Sequence, residues 1–147
     1  MALKISTGLR DHILATGDFQ SAVDGGVIRI YNGPVPATAD AALSGNTLLV
    51  TISNNSAGTG ITMNAAPAGG VLGKNSGEVW SGDVAANGVP TFYRFSPLTD
   101  DFLLSTTAKR VQGSVGSAGY DLNFANTSFV VGETKRIDVY DIAAPTA

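Results

Sequence analysis

The 147-residue sequence contains no cysteine and a single histidine. These absences exclude disulfide bonds, cysteine nucleophiles and zinc sites of the usual kind. The sequence also lacks an apolar run of the roughly 18 residues that a transmembrane helix requires, and its first residues, MALKISTGLRDH, lack the apolar core of a signal peptide. We therefore expect a protein made in the cytoplasm, with no membrane association and no cofactor.

Charge is scarce as well. Nine basic and twelve acidic residues give a net charge of −3, and the basic residues occur singly or in the pairs Lys109-Arg110 and Lys135-Arg136. Proteins that bind nucleic acid need a dense positive patch, so we expect no nucleic-acid partner. With 14% charged residues and 18 glycines, the composition favours a surface made for protein contact and short loops.

One segment, residues 6–24, has a helical apolar period. Leu9 and Ile13 fall on one face, Ser6 or Thr7 can cap the first turn, and Asp18 can cap a second short turn after Gly17. We predict a short, broken N-terminal helix that packs on a sheet. A second helical segment, of about two turns, is predicted over 38–44.

From residue 27 onward the apolar period is two, which is typical of half-buried strands. Turn signals such as Asn32-Gly33-Pro34 and Asn87-Gly88 separate the alternating segments. Residues 1–147 are therefore expected to form one all-β domain, an antiparallel β-sandwich. The clear alternations lie near 27–31, 47–53, 110–115, 120–124 and 136–140. Shorter candidates lie near 61–65, 71–74, 78–82, 91–96 and 128–131.

The reactive side chains form no recognisable catalytic set. His12 has no G-x-S-x-G elbow to present a serine to it, so we interpret it as a surface or interface residue. Adjacent Asp100 and Asp101 follow Leu-Thr in a turn and are expected to cap it, although a glycan-cleaving carboxylate pair is an alternative. Asp138 and Asp141 are predicted to lie on opposite faces of a strand. We expect no enzyme and no metal site.

Four aromatic residues form the densest aromatic group: Trp80, Phe92, Tyr93 and Phe95. Alternation places Phe92 on one face of its strand and Tyr93 and Phe95 on the other, which predicts a strand covered on both sides. We interpret the group as core together with a subunit interface, with a sugar-binding platform as the alternative. Leu3 and Ile5, beside the N-terminus, are further interface candidates, as is the tail 141–147.

Four stretches carry a resemblance to a known group of proteins. They are LKISTGLRDHILATG (3–17), GGVIRIYNGPVPATADAALSG (25–45), GVLGKNSGEVW (70–80) and GSVGSAGYDLNF (113–124). Together they resemble small structural proteins of tailed bacteriophages, along most of the chain.

The resemblance implies a head decoration or cement protein. It further implies a β-sandwich of jelly-roll type that is commonly a homotrimer and binds the outside of the capsid, where subunits of the major capsid protein meet. The expected location is then the virion surface, after synthesis in the host cytoplasm. A tail, baseplate or receptor-binding sandwich that contacts host glycans is the alternative.

Overall fold

The computed structural model describes residues 3–143. They form mostly antiparallel β-structure with two short helices, consistent with an all-β sandwich. No helix within this part of the chain has the length and apolarity to cross a membrane. In chain order the elements are β1 (Lys4–Ile5), α1 (Thr7–Ala15), α2 (Phe19–Val23), β2 (Val27–Tyr31), β3 (Leu48–Asn54), β4 (Val71–Gly73), β5 (Trp80–Asp83), β6 (Phe92–Ser96), β7 (Val111–Gly116), β8 (Leu122–Asn123), β9 (Thr134–Ile137) and β10 (Asp141–Ala143).

The predicted helix break is confirmed, with its capping residues. The Ser6 side chain accepts a hydrogen bond from the Leu9 amide at the start of α1, and the Asp18 side chain accepts one from the Ser21 amide at the start of α2. Each side chain satisfies an amide that the helix itself leaves free. Leu9 is fully buried and anchors α1 to the core, whereas Ile13, which was predicted to share its buried face, is 39% exposed.

One large sheet dominates the fold. Its strands follow the order β1-β7-β6-β2-β3-β5-β9, with β8 pairing in parallel to β7, while β4 and β10 form a separate ribbon. Two strands separate β5 from β6, which would place them about 14 Å apart in a flat sheet. The ring centroids of Trp80 on β5 and Phe95 on β6 are 6.0 Å apart, so the sheet is curled around a core.

The two faces of this sheet are chemically different. Along the inner face, the paired positions carry Ile5, Val111, Phe95, Ile28 and Ile52. One residue further along the strands, the paired positions on the outer face carry Lys4, Gln112, Arg94, Arg29 and Thr51. Side chains of consecutive strand residues point to opposite faces, so one register produces both rows.

Some local predictions were wrong. Residues 38–44 contain no helix: their backbone forms a single turn, in which the Ala41 amide donates to Thr38 O, and the carbonyls of Asp40 and Ala41 accept hydrogen bonds from the side chains of Arg110 and Arg94. Segments 61–65 and 128–131 make only isolated bridges. The alternation predicted over 136–140 also fails: Val139 is 71% exposed and Tyr140 is buried, since the chain leaves β9 at Ile137 and turns Tyr140 into the core.

Candidate functional site

The aromatic group lies inside the protein. Trp80, Phe92, Tyr93 and Phe95 are each at most 1% exposed. Phe92 stacks on Tyr31 on the outer face, and the other three contact Tyr140 on the inner face. The expectation that the strand is covered on both sides is confirmed, but both covers come from this chain. These four rings therefore offer no surface to a partner, and we remove them from the candidate interface.

Two long loops cover the outer face of the sheet. Residues 32–47 join β2 to β3 and residues 97–110 join β6 to β7. Loops of this length without secondary structure are uncommon and are usually functional or disordered. Here their carbonyl oxygens accept hydrogen bonds from side chains of the outer polar row. The bonds include Lys4 Nζ to Ala37 O, Gln112 Nε2 to Pro36 O, Arg94 Nη2 to Ala41 O and Arg29 Nη2 to Leu98 O.

A buried ion pair fixes the second loop. Arg110 Nε and Nη2 donate to the two carboxylate oxygens of Asp100 at 2.7 and 2.6 Å, and both side chains are at most 1% exposed. Arg110 also donates to Leu103 O at 2.8 Å and to Asp40 O at 3.2 Å, which ties both loops to one guanidinium. Such a geometry gives a buried charge the partners that it requires.

The pKa values of the charged groups on this face are shifted by burial and by their hydrogen-bonding partners. Burial alone raises the pKa of Asp100, but hydrogen bonds from the Arg110 side chain and the Phe102 amide outweigh it and leave that pKa below its usual range. Burial, and then the charge of Arg110, lowers the pKa of Arg94 to about 10. Both groups are therefore charged at neutral pH, as their hydrogen-bonding roles require.

The second loop presents leucines to solvent. Leu98, Leu103 and Leu104 are 46%, 62% and 73% exposed, and we call residues 97–104 the leucine loop. Phe102 adopts a left-handed φ of 63°, which is unusual for a bulky residue, and the Arg29 guanidinium lies 4.8 Å from its ring centroid. A strained and tightly bonded loop that exposes leucines is a rigid apolar surface, and strain of this kind concentrates at functional sites.

Leu3 and Ile5 lie at a different surface, an open seam along one edge of the curled sheet. One half of the seam has a volume of about 530 Å³ and is lined by apolar side chains that include Leu3, Ile5, Phe19, Leu72 and Ile142. The other half, of about 490 Å³, shares Leu3 and Ile142 and adds polar residues. Of the predicted tail, Asp141, Ile142 and Ala143 line this seam, and residues 144–147 lie outside the described part of the chain.

The remaining candidates have structural roles. His12 Nε2 lies 3.0 Å from Ser21 Oγ and joins the two helices. Asp100 and Asp101 accept bonds from the amides of Phe102 and Leu103, so the predicted turn capping is confirmed, while the pairing of Asp100 with Arg110 was not foreseen. Asp138 and Asp141 both line the polar half of the seam, which corrects their assignment to opposite faces. Among residues 3–143, no cluster of metal-binding side chains occurs.

The leucine loop was not predicted from the sequence, although the residues carry a signal for it. Asp100 and Asp101 indicate a turn, and three leucines and a phenylalanine surround them at positions with no strand period. Comparison of the chain with known protein families, curated proteins and solved structures finds no match.

Proposed function

We propose that this chain is a head decoration protein of a tailed bacteriophage, which binds the outside of the major capsid lattice and stabilises it. The observation that carries the proposal is the leucine loop, a rigid apolar surface in a protein with few charges. The phage resemblance of the sequence supplies the partner. The proposal includes the jelly-roll arrangement and the homotrimer that this resemblance implies.

Rigidity makes the leucine loop suitable for this role. An ordered loop loses little conformational entropy on binding, so more of the contact energy remains as affinity. Burial of three leucine side chains contributes roughly 1.5–3 kcal/mol for each side chain that becomes fully buried. Three such loops in one trimer would act together, and avidity would raise the affinity far above that of one loop.

The glycan-binding alternative has lost its main support. It required an aromatic surface on which sugar rings could stack, and the four rings that would form it are buried. The capsid role is the function that we propose.

Co-sedimentation with undecorated phage heads tests the proposal. We expect the wild-type protein to pellet with the heads and the double variant Leu103→Ser, Leu104→Ser to bind at least tenfold more weakly. The free energy of unfolding of this variant should stay within about 0.5 kcal/mol of wild type, because both side chains point to solvent.

A matched control is available on helix α1. Leu14 is 84% exposed and lies outside the leucine loop, so Leu14→Ser should bind heads as wild type does. Wild-type protein that stays in the supernatant would refute the capsid role, and equal losses in both variants would refute the role of the loop. Light scattering of the purified protein should give the mass of a trimer.

A further inference from the structure

We infer that the open seam accepts an extended, basic and apolar segment of the capsid protein as an added β-strand. This inference rests on the proposed function, because that function supplies the source of the segment. The seam differs from the leucine loop in chemistry, since it offers backbone groups and carboxylates in addition to apolar side chains.

The first support is the unpaired edge of β1. The Ser6 amide donates to Arg110 O at 2.9 Å, and Lys4 pairs with Gln112 two residues earlier. Peptide groups of alternate residues in an antiparallel ladder point to opposite sides. The peptide groups of Leu3 and Ile5 therefore point away from β7, to a side on which no strand of residues 3–143 pairs with β1.

A second edge borders the opposite side of the same gap. β10 pairs with β4 through Asp141–Ala143 and has no other strand neighbour within the described range. Leu3 of the first border and Ile142 of the second line both halves of the seam. Residues beside both strand edges thus line the same gap, and an unpaired edge is what an extended peptide uses when it extends a sheet.

The two halves of the seam indicate the chemistry of the occupant. In the apolar half, Ile5, Phe19 and Leu72 would receive alternate apolar side chains of a strand. The described lining of the polar half carries the carboxylates Asp121, Asp138 and Asp141 and one guanidinium, Arg136. Arg136 Nε is bonded to Asp138 at 2.6 Å, so the excess negative charge favours a segment with lysine or arginine.

A peptide-binding measurement tests the inference without any capsid. The probe is a fluorescent octapeptide that alternates valine with lysine and threonine, and anisotropy is recorded with the full-length protein. We expect saturable binding. Binding should weaken at least tenfold when glutamate replaces lysine, and also when alternate backbone amides are N-methylated, because N-methylation blocks the strand-type hydrogen bonds.

Protein variants locate the binding site. Asp141→Lys should weaken peptide binding at least tenfold, whereas Asp11→Lys, the same charge change at an exposed position on α1, should leave it unchanged. Equal binding of the N-methylated peptide, or no binding of any peptide, would overturn the inference. A variant that ends at Ala143 is the last comparison. If this variant binds the peptide and the full-length protein does not, the seam is occupied by the protein's own C-terminal residues, and the inference is again overturned.

The outcomes for the seam and for the capsid role can be told apart. If heads bind the wild-type protein but no peptide does, the capsid role is retained and the inference about the seam is refuted. If the peptide binds but the protein does not co-sediment with heads, the capsid protein is not the source of the segment. The inference is then refuted as well.

Discussion

The two faces of the curled sheet come from alternate residues of the same strands, yet they are stabilised by different physics. On the inner face, Phe95 and Tyr93 pack among aliphatic and aromatic side chains. On the outer face, Arg94 of β6 and Arg110, which directly precedes β7, are just as buried but are bonded to carbonyl and carboxylate oxygens of two loops. Burial alone therefore does not distinguish the faces, whereas the partners of the buried atoms do.

This difference explains how irregular loops can lie on a sheet. A loop without secondary structure has backbone carbonyls that must find donors when they are buried. An apolar outer face would leave them unpaired, whereas a row of guanidinium, amide and ammonium groups supplies donors. The inner face thus provides most of the hydrophobic stabilisation, and the outer face fixes the shape of the exposed loops.

The largest expected effect is on the inner face. Phe95→Ala removes a fully buried ring that contacts Trp80 and Tyr140, and should lower the free energy of unfolding by about 3–5 kcal/mol. Denaturant titration followed by tryptophan fluorescence measures it. Val139→Ala, at an exposed site, is the control and should change stability by less than about 0.5 kcal/mol. Similar losses in both variants would contradict the assignment of Phe95 to the core.

A somewhat smaller effect is expected on the outer face. Arg110→Met leaves the buried Asp100 carboxylate unpaired and should cost about 3 kcal/mol. The double variant Arg110→Met, Asp100→Leu removes both charges and should recover part of that loss, as measured by the same titration. If Asp100→Leu destabilises the Arg110→Met variant as much as it destabilises wild type, the two side chains do not act as a pair.

The smallest effect is a pH dependence that separates the faces. The folded-state pKa of Asp100 lies below its ordinary value of 3.8. The stability contributed by its ionised form is therefore present above that value and is lost as the pH falls through the lower folded-state pKa. Denaturant titrations between pH 5 and pH 2 measure this loss, over a range of about two units around the ordinary carboxyl pKa. As the pH falls, the free energy of unfolding should decrease less steeply in Asp100→Asn than in wild type.

Phe95→Ala provides the contrast in that experiment. Its free energy of unfolding should change with pH as steeply as that of wild type, because no carboxyl group is altered. An unchanged slope in Asp100→Asn would mean that the acid sensitivity comes from other carboxylates with lowered pKa values, such as Asp40 and Glu78.

The short-range features were predictable from the residues. Ser6 and Asp18 cap their helices because their side chains reach amides three residues ahead, and this depends only on local geometry. The period of two predicted β2, β3 and β7. The opposite faces of Phe92 and Tyr93 followed from the same alternation, because neighbouring residues of a strand always point apart.

The predictions that failed depended on contacts between distant residues. Residues 38–44 have a helical composition, but Arg94 and Arg110, more than 50 positions away, bind their carbonyls. Tyr140 turns inward to pack against the rings of Trp80, Tyr93 and Phe95, which are remote in sequence. No local pattern contains that information.

The sequence by itself determined the class of the fold, the two helices and the absence of cysteine chemistry, because composition and period act through neighbouring residues. Only the tertiary structure decided which aromatic rings are buried, how Arg110 ties two loops together, where leucines face solvent, and which strand edge has no partner among residues 3–143. Those features arise when the sheet curls and brings remote side chains within hydrogen-bonding distance, and it is there that the candidate contacts lie.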